Sequence, residues 1–502
     1  MAPVFCDRCG DTVGEDCDPL DELAQLDPLL KRLTIERCDL KKKVNRFHSP
    51  IVRQLPPNIM STIFEFCLPD FADLDLSPSN FPLSLGAICS YWREIAWSTP
   101  CLWSLLVVEV KSNELDTAIA QEWLARSDQL PLTIRILSSH TRPDETRQGV
   151  SALAEITNQY STRWSNLDLF IPQSFYQFFY AIDNHAPILR SIRFHSSYTD
   201  DAQNFQLTCP RLERADLSSF QIDGTDIQWD NLTHLILRQT STSDSFLIMS
   251  KTPRLVFCQI SSPYESGVPS LPLILESLRT LQLSSSRSDE SLNYLITPHL
   301  EELSLSQRPP FISMSDIASF FKRSACPLRS FSVTFNISKH FEGFMSLLPL
   351  IPSLKTLSII NYTHRDDSRN ILQLVAKVVS SQSTTIQQRL LPGLEVLEYT
   401  GRIRPGNYAE LFPLPPTNNA VHGPLRLLKL DLSPINHIPE NIISYLLSLT
   451  KRGITVNVLS RSKDILRSSI AYYRRKEDSL RWDWVDTLDS SSSLMEDLRE
   501  TS

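Results

Sequence analysis

The chain has 502 residues, 41% of them hydrophobic, and a formal net charge of −8. Its length is too great for one ordinary compact domain and points to several units or a repeat array, and its apolar content excludes a disordered chain. The acidic balance argues against nucleic acid as the main partner. No apolar run reaches the roughly 18 residues of a spanning helix, and Met1 to Asp7 carry no basic region followed by an apolar run. The ten cysteines, from Cys6 to Cys326, lack the dense spacing of a secreted disulfide framework. The expectation is a soluble chain, cytoplasmic and/or nuclear, with reduced thiols and no membrane or nucleic-acid partner.

Residues 1–26 read as a flexible, cysteine-bearing tail. Cys6-x-x-Cys9 with Cys17 (and Cys38) supplies one close pair, whereas a structural zinc site normally needs two. No metal and no cofactor is expected. Residues 27–49 follow as a helix: Asp27-Pro28 reads as an N-cap with proline at the first helical position. Leu30, Leu33, Leu40, Val44 and Phe47 then recur at alternating spacings of three and four, with Arg37 interrupting the row. Under three heptads is short for a stable coiled coil. Packing on the next segment is the preferred expectation and self-association the alternative. His48-Ser49-Pro50 ends the helix.

Residues 50–108 are the most informative. Leu55-Pro56-Pro57 is extended, because a residue before proline is pushed out of the helical region. Ile59, Met60, Ile63, Phe64 and Cys67 then recur at helical spacing. A second helix carries Leu85, Ile88, Cys89, Trp92, Ile95 and Ala96; Ser98-Thr99-Pro100 breaks it, and Leu102-Trp103 follow as a bulky apolar pair. Elements this short cannot bury all those side chains among themselves. In Leu55-Pro56, Ile59, Ile63, Cys89, Trp92, Arg93, Ile95, Ala96, Leu102 and Trp103 the stretch resembles the F-box, and more specifically the F-box-like domains of large fungal families. Asn58 stands where the family usually has an acidic residue, and Leu68 to Pro82 is longer than in the compact form. The resemblance implies docking on a Skp-type adaptor and, through it, a cullin. By that resemblance the contact residues would be Leu55, Pro56, Ile59, Ile63, Trp92, Leu102 and Trp103. Cys89 reads as core packing.

From residue 109 to 460 one pattern dominates, L-x-x-L-x-L, often after a proline-bearing loop such as Ala186-Pro187, Cys209-Pro210 or Thr252-Pro253. Leu132-Ile134-Ile136 reads as a first capping strand and Trp164-Leu167-Leu169 as an early copy. The first leucines of the ten main copies are Leu189, Leu212, Leu232, Leu255, Leu278, Leu300, Leu328, Leu354, Leu394 and Leu425. The first five intervals, 23, 20, 23, 23 and 22 residues, fit the leucine-rich repeat. The later intervals need insertions, one of them an amphipathic helix over Asn370–Gln388. An ordinary α/β domain with leucine-rich strands is the alternative. In a repeat array the leucines enter a continuous core, and the residue between the last two apolar positions points the other way. That rule selects Arg193, Asp216, Ile236, Gln259, Gln282, Ser304, Ser332, Ser358, Glu398 and Lys429, a mixed, mostly polar row without the basic or aromatic ladder of a nucleic-acid site.

Residues 461–502 read as a C-terminal cap followed by an acidic, serine-bearing tail. The expected fold is therefore α+β or α/β repeat: a short helical F-box, then an irregular leucine-rich-repeat solenoid with a parallel sheet on its concave face. With only 12 glycines and no phosphate-loop, zincin or nucleophile-elbow motif, catalysis is not expected. Together the parts resemble an F-box and leucine-rich-repeat protein, which implies a ubiquitin-ligase substrate receptor whose repeats hold an unknown protein target. A repeat scaffold outside any ligase is the alternative.

Overall fold

The computed structural model describes residues 18–48, 51, 54–68, 81–110, 114–138, 143–196, 205–262, 271–285, 291–306, 313–334, 337–361, 374, 391–401, 424–432, 437–438, 440–451, 453–461 and 463–476. The chain divides into two compact units, Met1–Leu169 with Ala181–Asp183, and Phe170–Tyr180 with Asn184–Ser502. The Cys6, Cys9 and Cys17 cluster, the acidic tail, most of the long segment after Leu68, and all of the expected 370–388 helix except the buried Leu374 lie outside the described residues.

The first unit opens with α1 (Asp18–His48). The sequence offers two Asp-Pro starts, and the expected one at Asp27 is corrected: the helix begins at Asp18 and carries Pro28 inside it. A proline inside a helix removes one hydrogen bond and crowds the carbonyl four residues earlier. The expected packing of this helix on the following segment is corrected too. Every side chain described from Leu23 to Phe47 is exposed, the large apolar ones by 43–63%.

That segment consists of α2 (Pro57–Phe66), α3 (Phe81–Ile88), α4 (Ser90–Trp97) and a 3-10 turn over Pro100–Trp103. Pro56 is extended at φ −60° and ψ 152°, and Pro57 starts α2, where no backbone N–H is needed. The Sγ of Cys89 accepts a hydrogen bond from the Trp92 N–H at 3.4 Å and caps α4. Then β1 (Leu105–Val110), α5 (Glu114–Arg126), β2 (Leu132–Ser138), α6 (Pro143–Asn158) and β3 (Trp164–Phe170) alternate. β1 and β2 pair in parallel, so Leu132-Ile134-Ile136 is not the first strand: β1 precedes it, beginning before residue 109. Arg135 on β2 and Asp168 on β3 are both fully buried, and the guanidinium donates to one carboxylate oxygen from Nε at 3.0 Å and Nη2 at 2.9 Å.

Among the described residues, the second unit contains twelve main sheet strands. Its strands, in spatial order, are β4 (Ser191–His195), β6 (Arg214–Ser218), β8 (His234–Arg238), β9 (Phe257–Ser262), β11 (Thr280–Ser285), β13 (Glu302–Ser306), β14 (Ser330–Thr334), β15 (Thr356–Ile360), β16 (Val396–Gly401), β17 (Leu427–Leu432), β18 (Thr455–Ser460) and β19 (Lys463–Asp464). All pair in parallel except the antiparallel β18 and β19. Two small parallel pairs, β5 (Phe205–Leu207) with β7 (Thr225–Ile227) and β10 (Leu273–Ile274) with β12 (Leu295–Ile296), lie between the main strands in sequence. Each of the ten main leucine motifs falls on one main strand. Their middle apolar residues stand side by side across the sheet, Ile192, Ala215, Leu235, Cys258, Leu281, Leu303, Phe331, Leu357, Leu397 and Leu428. All ten are buried. Helices α7 (Thr242–Ser250), α8 (Met314–Ser324) and α9 (Ile337–Leu347) connect strands; Phe321 of α8 meets Phe331 edge-on at 5.7 Å. α10 (Glu440–Lys451) and α11 (Ile465–Lys476) pack on β18, and α11 buries Ile465, Leu466 and Ile470. The chain is thus a mixed α/β protein dominated by a large, mostly parallel sheet.

Candidate protein-docking surfaces

The short helical segment sorts its apolar residues onto two faces. On α2, Met60 and Phe64 are 1% exposed, whereas Ile59 and Ile63 are 44% and 41% exposed. Phe64 packs on Trp92 of α4 with ring centroids 5.1 Å apart. Tyr91 Oη donates to the Leu55 carbonyl at 3.1 Å, and Thr99 Oγ1 donates to Ser61 Oγ at 3.0 Å, so α4 and the turn hold both the lead-in and the body of α2. With its inner face pinned, α2 presents Ile59, Ile63 and Phe66 together, since residues four and three apart share a helix face. Phe66 is 87% exposed. Sequence reading passed over it by grouping residues of both faces into one row; its spacing from Ile59 and Ile63 is the signal that could have found it.

The seven residues expected to touch a partner therefore separate. Pro56, Ile59 and Ile63 are exposed, and Leu55 and Trp92 are half-buried. Leu102 and Trp103 are only 1% and 2% exposed, and their assignment as contact residues is corrected. The Trp103 Nε1–H donates to the Ala96 carbonyl at 2.8 Å, and its ring stands edge-on to Trp97 at 5.2 Å and to Trp123 of α5 at 4.8 Å. Trp103 joins the helical segment to the β1–α5 region that follows it and has no face left for a partner. Cys101, in the same turn, has its thiol pushed up to about 12, first by burial and then by Glu65 beside it, which disfavours the thiolate.

On the second unit, the row expected to face away from the leucine core stands in strict register from Arg193 to Lys429. All ten of its residues are half-buried. Its charges pair within the sheet: Asp216 lies between Arg193, at 3.7 Å, and Arg238, and Lys429 sits 3.6 Å from Glu398. Neighbouring positions add Arg279 and Arg329 around Glu301, and Lys355 with Glu395 at 3.1 Å. The centre of the row, Gln259 to Ser358, is uncharged and hydrogen-bonding. Such a face can meet a polar protein surface without leaving a large unpaired charge.

Among the described residues, no group of three or more His, Cys, Asp or Glu side chains is placed to hold a metal ion. Among them, too, no helix is long and apolar enough to cross a membrane. In comparisons with known proteins, no family model matches the chain and no curated protein matches it.

Proposed function

We propose that this chain is a substrate-receptor subunit of a Skp-cullin-F-box type ubiquitin ligase, docking on the adaptor through residues 55–97 and on a protein target through the repeats. The observation that carries the reading is α2, whose Met60 and Phe64 anchor it while Ile59, Ile63 and Phe66 stay in solvent. A pre-positioned apolar helix face costs little ordering on association. We read the second unit as a leucine-rich-repeat solenoid, with the half-buried row from Arg193 to Lys429 on its concave face; the in-register strands and buried leucine ladder support this. The chain would supply proximity alone, raising the effective concentration of target beside a ubiquitin-loaded enzyme.

Titration of the full chain with a Skp-type adaptor tests the reading. Ile59→Asp/Ile63→Asp places two charges on the docking face and should weaken binding at least about 100-fold, or 2.7 kcal/mol. Because both side chains are outside the core, the thermal melt should not move. An unbound wild-type chain would leave the second reading, a repeat scaffold outside any ligase. The exposed, uncharged Asn58, in place of the acidic residue usual at that position, favours that second reading.

A further inference from the structure

We propose that α1 pairs with the α1 of a second copy of this chain as a two-stranded antiparallel coiled coil, independently of the ligase reading. From Leu23 to Val44 the large apolar side chains of the helix are 43–60% exposed. A groove of about 820 Å³ separates Leu33, Leu40 and Val44 from Ile88, the apolar residue of the same unit that faces them, and Ile88 is itself 58% exposed. Starting the helix at Asp18 rather than Asp27 lengthens the apolar row. From Leu23 to Phe47 it runs through three and a half heptads at alternating spacings of three and four, with Arg37 its one charged member. That is the a/d pattern of a coiled-coil seam. Pro28 falls opposite the seam, on the side that would be convex to solvent.

Two features of charge select the second copy and its direction. Between Asp18 and Leu29 the sequence has four acidic residues and no Lys or Arg. Between Leu30 and His48 it has seven Lys and Arg against two acidic residues. Antiparallel pairing sets the acidic end of each copy on the basic end of the other, whereas parallel pairing sets like on like. Arg37 decides the same way. In a parallel pair the two Arg37 side chains would share one seam layer. In the antiparallel pair Leu23 meets Phe47, Leu26 meets Val44, Leu30 meets Leu40, and Arg37 lies over Leu33 with its head free to reach water.

Sedimentation equilibrium of the full chain reads this out. The expected mass is twice the 57.2 kDa of one chain. Leu30→Asp/Leu40→Asp should return it to a monomer without shifting the main unfolding transition. Lys41→Glu/Lys42→Glu/Lys43→Glu makes both ends acidic and should weaken the dimer at least about tenfold at low salt. Adding Asp21→Lys/Glu22→Lys/Asp27→Lys should restore it. A wild type that stays monomeric at every concentration would overturn the proposal and leave the row to close on Ile88. A dimer that survives Leu30→Asp/Leu40→Asp, or is indifferent to the lysine reversal, would overturn it as well.

Discussion

Leu102 and Trp103 resemble contact residues by position and core residues by structure, and their substitutions distinguish the two roles. Trp103→Ala removes a ring packed between Trp97 and Trp123 and a hydrogen bond to the Ala96 carbonyl. It should cost about 3–5 kcal/mol of stability in a urea titration, whereas Ile59→Asp should cost almost none. Gly86 is set just as tightly: a Cβ there would run into the Trp97 ring. Gly86→Ala should therefore destabilise by about 1–3 kcal/mol through displacement of that ring. Asp168→Ala would leave the fully buried Arg135 guanidinium without its carboxylate and should cost about 3–5 kcal/mol. Burial pushes the Cys258 thiol from 9.0 up to about 12. The unfolded chain thus ionises first, so this contribution is complete below about pH 9 and is lost as pH rises towards 12. Cys258→Ala should flatten the fall in urea midpoint across that window. None of these pairings was legible in the sequence, because Arg135 and Asp168, or Gly86 and Trp97, meet only once the chain has folded.

At the scale of elements the sequence was far more informative. All ten main leucine motifs became strands, and the residue chosen between the last two apolar positions fell on one row, because the two-residue period of a strand leaves no choice of face. What escaped was written in other residues. β1 reads Leu-Leu-Val-Val-Glu-Val and β18 reads Thr-Val-Asn-Val-Leu-Ser, so neither carries the full leucine signature, although both pair in register with a neighbour. The start of α1 was missed because two Asp-Pro pairs make equally good local caps. Leu303→Ala, at a fully buried rung of β13, should cost about 2–5 kcal/mol by leaving a cavity. Asp216→Ala, on the half-buried face, should cost under about 1 kcal/mol, since its ion pairs are partly solvated. Chemical denaturation of the two variants side by side checks the assignment of faces.

For the whole molecule, the proposed function divides labour between the two compact units: adaptor docking in the first, target docking in the second. The docking face was half legible. Ile59 and Ile63 stood out by spacing, Phe66 was overlooked, and the burial of Leu102 and Trp103 needed Trp97 and Trp123 to be in place. Hydrogen exchange of the full chain, with and without a Skp-type adaptor, tests the central claim most directly. The account predicts slowed exchange over Pro57–Phe66, with the strands from β4 to β18 unchanged. Protection confined to those strands, or none anywhere with adaptor in excess, would contradict it.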